Sequence, residues 1–207
     1  MKQKHAFLLL IFGLFLGLSA CNNTDFDQLQ AEQNRQDSLE RARIQKLLNE
    51  QAPLLEAYVH TQGWTNAILN KDRGIWYEVL NVGTNDSYAY KINYNGTVPA
   101  LVYPNIEVMY KGELLDGTLF DETADGKTAT LSLNRVLLAW QLAFFPKSIY
   151  GNGQNNLVGG LTEKGLQKGA KIRFVTPSPW AYDAEVQDKI PANSPLVFEI
   201  EVVNITD

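Results

Sequence analysis

The chain has little of the chemistry that metal sites and covalent catalysts depend on. Its 207 residues hold one cysteine, Cys21, and two histidines, His5 and His60. No cysteine and histidine cluster can therefore hold zinc. Nor can a serine, histidine and aspartate set be built with its base near a domain core. His60 falls in a helical stretch and reads as a surface residue. Asp121, Glu122 and Asp125 beside Gly126 miss the spacing of a twelve-residue calcium loop and read as solvated turn residues. Gly151, Gly153, Gly159 and Gly160 lack the Gly-Lys-Ser/Thr ending of a phosphate loop. No metal and no cofactor is expected, so any catalysis must work through shape and hydrogen bonding. Basic residues are in the minority as well, 18 against 23 acidic ones, for a net charge of −5. Nucleic acid is a poor partner for such a chain.

An apolar run long enough for a permanent membrane span is also missing. The stretch from Ala6 to Leu18, interrupted by Gly13 and Gly17, falls short of the roughly 20 residues a span needs. It follows Lys2 and Lys4 and leads through Ser19 and Ala20 into Cys21, which is the layout of an export signal. Leu18-Ser19-Ala20-Cys21 resembles the lipobox of bacterial lipoproteins, whose cysteine receives diacylglycerol before cleavage. The resemblance implies a signal peptide at 1–20, lipidation of Cys21, and a polar tether at 21–28. A lone cysteine makes no internal disulfide, which favours lipidation over a chance thiol. Without Lys2 and Lys4, 16 basic residues face 23 acidic ones, a net −7. Asn22 and Asn23 behind the cysteine, with no aspartate, are similar to the sorting pattern of outer-membrane lipoproteins. The location so implied is the cell envelope, with the chain held on the outer membrane by its N-terminal lipid.

From Leu29 to His60 the pattern turns helical, with Leu39, Ile44, Leu47, Leu48, Leu55 and Tyr58 near one stripe. Pro53 predicts a division into one helix near 30–51 and a second starting close to the proline, a favoured first-turn residue. Gly63 ends the second. Such a stripe must be covered, either by its own domain or by a second copy in a homodimer through residues 29–60. After Gly74 the period changes to two. Ile75–Leu80, Tyr88–Tyr94, Ile106–Tyr110, Thr128–Leu133, Lys171–Thr176 and Leu196–Ile205 read as strands, with turns at Asn95-Gly96 and Asp116-Gly117. Val136–Phe145 is too apolar to expose and reads as a buried helix that Pro146 stops. Residues 147–160, rich in glycine and asparagine, read as an irregular surface excursion. Many strands around one or two short helices make an α+β domain at 74–207, behind a helical extension at 29–73. Trp64, Trp76 and Tyr88 are expected in the core.

Three stretches carry a family likeness. The first runs from Val108-Met109-Tyr110-Lys111-Gly112 through Leu115-Asp116-Gly117-Thr118-Leu119-Phe120-Asp121. The second is Gly169-Ala170-Lys171 through Pro177-Ser178-Pro179-Trp180-Ala181-Tyr182, and the third is Ile190-Pro191-Ala192-Asn193-Ser194-Pro195-Leu196-Val197-Phe198-Glu199-Ile200. In this order, over about 105–205, they resemble the FK506-binding (FKBP) class of peptidyl-prolyl cis-trans isomerases. The resemblance implies a twisted antiparallel sheet wrapped around a short helix.

It also implies an apolar pocket. Tyr110 matches a wall tyrosine, and Phe120 and Asp121 match the family's Phe-Asp pair. Val136 and Leu137 match the rim, Trp140 the floor, and Ile190 and Phe198 the remaining wall. Tyr182 matches the tyrosine whose hydroxyl binds a substrate carbonyl, and the Ile190 backbone N–H is a second candidate donor. Asp121 either holds the pocket tyrosine hydroxyl or meets the rotated carbonyl. The implied partners are proline-containing polypeptides, here exported or outer-membrane proteins, with chaperone behaviour as a further expectation. The alternative is a catalytically weak binding module in a cell-envelope assembly. Departures from the pattern favour that alternative. Ala129, or Leu131 if the register slides, replaces a common aromatic. Ala139 replaces a glycine beside the tryptophan, Asp183 replaces the glycine after Ala-Tyr, and 141–160 is an insertion expected to widen or partly cover the pocket.

Overall fold

The structure is a computed structural model that describes residues 23–96 and 98–207, with side chains from Phe26 onward in the leading helix. The export signal and Cys21 lie outside the described residues. The chain divides into two compact units, one ending at Glu40 and the other running from Arg41 to Asp207.

Helix α1 (Asn23–Thr61) begins in the first unit. It is already helical over residues 23–28, where the sequence suggests a tether. Phe26 to Glu40 are exposed throughout and are supported by neighbours one turn apart. Arg35 donates to both oxygens of Glu32, at 2.9 and 2.7 Å, and Gln33 donates to Asp37 at 2.7 Å. Pro53 does not divide the helix, contrary to expectation. Gln51 and Leu55 on either side of it are buried at 5% and 0% exposure. Packing of those two side chains holds the backbone helical across the hydrogen bond that proline cannot make.

In the second unit the rest of α1 is followed by β1 (Ile68–Asn70), β2 (Ile75–Val82), β3 (Ile92–Asn95) and β4 (Val98–Leu101). Next come β5 (Asn105–Leu114), β6 (Leu119–Glu122), β7 (Ala129–Ser132), a 3-10 turn at Leu133–Arg135 and helix α2 (Leu138–Phe144). The chain closes with β8 (Ser148–Gly151), β9 (Gln154–Leu157), β10 (Ala170–Thr176), a 3-10 turn at Ser178–Trp180 and β11 (Leu196–Thr206). The main sheet has the order β1-β2-β10-β11-β5-β6, with β7 also on β5, and every pairing is antiparallel. Along central β11, Leu196, Phe198, Ile200 and Val202 are buried in the main core, which includes α2. Their neighbour Val197 joins a second cluster with Leu55 and Val59 of α1, Trp64 and Val175. Alternation along one strand thus serves α2 on one face and α1 on the other. Helix α2 is buried nearly all round, through Ala139, Trp140, Leu142, Ala143 and Phe144.

Two strand expectations change. Tyr88 and Tyr90 precede the first paired residue, Ile92, and are held by side chains rather than a ladder. The Tyr90 hydroxyl donates to the Leu166 carbonyl at 2.8 Å, and Tyr88 donates to Asp207 at 2.7 Å. The supposedly irregular excursion is a two-stranded hairpin, β8 with β9. Its turn residues, Asn152 (φ 51°) and Gly153 (φ 76°), both sit in the left-handed region that tight hairpin turns use. No helix among the described residues is long and apolar enough to cross a membrane. No group of three or more potential metal ligands occurs among them either.

Candidate active site

The end of the main sheet that carries β6 and β7 supplies half of the residues that line a cavity of about 340 Å³. Tyr110 projects from β5, Phe120 and Asp121 from β6, Leu131 from β7 and Phe198 from β11. Arg135, Val136 and Leu137 come from the step between the 3-10 turn and α2, and Trp140 from the first turn of α2. Tyr182 closes the circle from the loop after β10. Trp140 is only 4% exposed and forms the base. It meets Tyr110 edge to face at 5.1 Å and Phe198 at 5.6 Å, and Phe120 meets Phe198 at 5.7 Å. Perpendicular ring contacts of this kind lock each ring's orientation.

Two phenols face the cavity, and they differ in commitment. The Tyr110 hydroxyl donates to Asp121 Oδ2 at 2.7 Å, so Asp121 holds the tyrosine, the first of the two roles open to it. Burial, and then the Asp121 hydrogen bond, push the Tyr110 phenol above its ordinary pKa. The Tyr182 phenol is also raised, by burial first and the charge of Asp121 second. The Tyr182 hydroxyl has no hydrogen-bond partner among the described residues. It remains protonated and free to donate.

Eight expected residues line this one cavity: Tyr110, Phe120, Asp121, Val136, Leu137, Trp140, Tyr182 and Phe198. Ile190 does not. It is buried at 4% exposure, and its N–H already donates to the Gln187 carbonyl at 3.2 Å, so it is not a second donor toward the cavity. Pairing between β5 and β7 settles the open register: Ala129 faces Val108 and Leu131 faces Ile106, and it is Leu131 that reaches the cavity. Arg135, exposed at the rim, belongs to none of the three motifs; its place directly before Val136-Leu137 is the signal the sequence offers for it. Ala139 is buried in the core behind Trp140. No residue of the 141–160 insertion lines the cavity, which is therefore not covered by it.

Residues 102–203 match the family model of the FKBP-type peptidyl-prolyl cis-trans isomerase. The chain carries an FKBP-type domain. Over 101 residues the chain is 38% identical to the FKBP-type peptidyl-prolyl cis-trans isomerase FkpA of Buchnera aphidicola subsp. Schizaphis graminum, covering 48% of this chain and 32% of that protein. Longer matches include FkpA of Aeromonas hydrophila, 28% identical over 181 residues, with 86% and 55% covered. The FKBP-type 22 kDa peptidyl-prolyl cis-trans isomerase of Escherichia coli is 27% identical over 173 residues, with 83% and 67% covered. The chain thus spans from about a third to two thirds of the length of these relatives. The crystal structure of FkpA from Escherichia coli shares the fold, with a TM-score of 0.52 at 23% identity over 91% of this chain and 74% of that one.

Proposed function

We propose that the protein is a peptidyl-prolyl cis-trans isomerase acting on proline-containing polypeptides. The observation that carries this reading is the aromatic cavity at the heart of the FKBP-type domain, with one uncommitted phenol at its edge. Rotation about a peptide bond meets a barrier of roughly 18–20 kcal/mol, because resonance keeps the amide planar. X-Pro bonds populate both isomers yet exchange slowly enough to limit folding. A catalyst need only favour the twisted amide over the planar one. The twisted amide has lost conjugation and is less polar, so an apolar cup of Trp140, Phe120, Leu131 and Phe198 favours it once the proline ring is seated. Tyr182 donates to a neighbouring substrate carbonyl and fixes the chain's direction. Asp121 braces Tyr110 and removes no proton.

The test is cis-to-trans exchange in a proline peptide with the full mature chain. Acceleration by the wild type is expected. Tyr182→Phe should lose about five- to tenfold in kcat/KM, the worth of one hydrogen bond near 1 kcal/mol. Phe120→Ala should lose more, through the missing wall. A well-folded wild type that leaves the exchange rate unchanged rejects the reading.

Exported and outer-membrane proteins are the proposed substrates, met at the envelope by a chain that Cys21 anchors through lipid, with chaperone action on them as an added role. The support is the export-signal layout and lipobox at Leu18–Cys21. Labelled palmitate should enter the wild type and be absent from Cys21→Ala. The exposed Phe26, Leu29 and Leu39 of α1 support pairing of two copies through this helix. Light scattering of chains with and without residues 29–40 tests it, a single mass in both cases counting against the dimer.

A further inference from the structure

The loop that carries Tyr182 is tied at both ends to helix α1. Asp183, directly after Tyr182, sits in the left-handed region at φ 53°, a place where a residue without a side chain would be most at ease. Its carboxylate nevertheless has a use. Arg43 of α1 donates to both of its oxygens, Nη1 at 3.0 Å and Nη2 at 2.5 Å. Such a two-pronged, charge-assisted contact fixes direction as well as distance.

Gln51, eight residues further along the helix, holds the rest of the loop. Its buried amide donates to Ser178 Oγ at 2.9 Å and to the Asn193 carbonyl at 3.0 Å. The same amide accepts the Ser178 N–H at 2.8 Å. The loop also closes on itself: Asp183 N–H donates to the Ser178 carbonyl at 2.9 Å, and Asn193 N–H to the Asp183 carbonyl at 2.6 Å. Ser178, Asp183 and Asn193 therefore form one frame, each corner of which α1 touches. Tyr182 lies inside the frame, between Ser178 and Asp183, and has no hydroxyl partner of its own to orient it. Apart from its packing on the main core, its position follows from a backbone whose neighbours are tied to the helix.

We infer that α1 is a positioning element of the candidate active site. Arg43 acts through Asp183, and Gln51 through Ser178 and Asn193, to direct the Tyr182 hydroxyl at the substrate carbonyl. The inference rests on the isomerase reading of the cavity for its catalytic consequence. Its structural consequence, an ordered Tyr182 loop, stands apart from turnover.

Arg43→Met is the informative variant, because it removes the partly exposed tie and leaves the buried Gln51 contacts in place. Peptide isomerisation is measured for it in the wild-type and Tyr182→Phe backgrounds, with amide hydrogen exchange over residues 178–193 in parallel. Expected is a two- to fivefold fall in kcat/KM, about the worth of a partly exposed ion pair. Arg43→Lys should recover part of it. In the Tyr182→Phe background the fall should vanish, which a general loss of stability would not produce. Exchange at 178–193 should rise while β5 and β11 stay protected. An equal fall in both backgrounds overturns the inference, and so does unchanged exchange at 178–193. A wild type without isomerase activity overturns the isomerase reading instead, and the exchange result then decides alone whether Arg43 orders the loop.

Discussion

Gly112 shows how tightly single residues control the cup. A methyl group there would stand 2.6 Å from the Phe120 ring and 3.1 Å from Phe198. Both are wall residues, so Gly112→Ala must push Phe120 from its place against Phe198. The expected outcome is a loss of about tenfold in kcat/KM at an overpacking cost of about 1–3 kcal/mol, read by peptide isomerisation beside urea unfolding. The phenols make a second residue-scale prediction. Burial and Asp121 raise Tyr110 and Tyr182 above the ordinary tyrosine value, so both stay protonated, and nothing in the cup needs to lose a proton. The isomerisation rate should be flat from about pH 6 to 9. A decline in that window following one titrating group would assign a protonation step to the site. At this scale the motifs identify eight lining side chains because those positions are spaced by a family pattern. It misjudges three others for physical reasons: it puts Ile190 on the wall, leaves Leu131 as an alternative to Ala129 and passes over Arg135. The first is decided by a backbone hydrogen bond to Gln187, the second by strand register, and the third by a 3-10 turn that no periodicity announces.

Among the elements, β2 and β10 are joined by more than their ladder. Glu78 is 4% exposed, yet it is a carboxylate. Arg173 donates to it from Nε at 2.7 Å and Nη2 at 2.5 Å, the Asn66 N–H donates at 2.9 Å, and Arg173 stacks over Trp64 at 4.6 Å. Burial alone would raise the Glu78 carboxyl, but the hydrogen bonds from Arg173 and Asn66 outweigh it and hold the pKa below the ordinary value. A carboxyl depressed in the folded state contributes its stability above the unfolded value, near 4, and loses it as pH falls through the folded value. Glu78→Gln should therefore cost about 3 kcal/mol at pH 7, with the gap to wild type narrowing below about pH 4. Urea midpoints at the two pH values check this, and an equal gap at both would contradict it. The strand around Glu78 is legible from its alternation. Its burial is not, because the partner arginine lies 95 residues away. Pro53 and the β8–β9 hairpin fail in the same way: long-range packing overrides one local signal, and a polar hairpin shows no hydrophobic period to find.

At the scale of the whole molecule, the cup exists only because the last strand lies in the middle of the sheet. Strand β11 pairs with β5 on one side and β10 on the other, so Phe198 meets Trp140, Phe120 and Phe174 when the chain end is in place. The order of the three motifs makes this topology readable from sequence. The grip of α1 on the Tyr182 loop is not readable, since Arg43, Gln51 and Asp183 belong to no shared pattern. The hairpin inserted between α2 and β10 contributes nothing to the lining of the cup, which leaves it open to a proline side chain. The proposed isomerase activity requires that this cup lower the barrier to rotation about an X-Pro bond. Exchange spectroscopy on a proline peptide with catalytic amounts of the full chain measures it directly. Cross-peaks between cis and trans resonances should grow with wild-type protein and shrink about five- to tenfold with Tyr182→Phe, in line with one lost hydrogen bond. Exchange no faster with folded wild type than in buffer, or equally fast with both proteins, would contradict the claim.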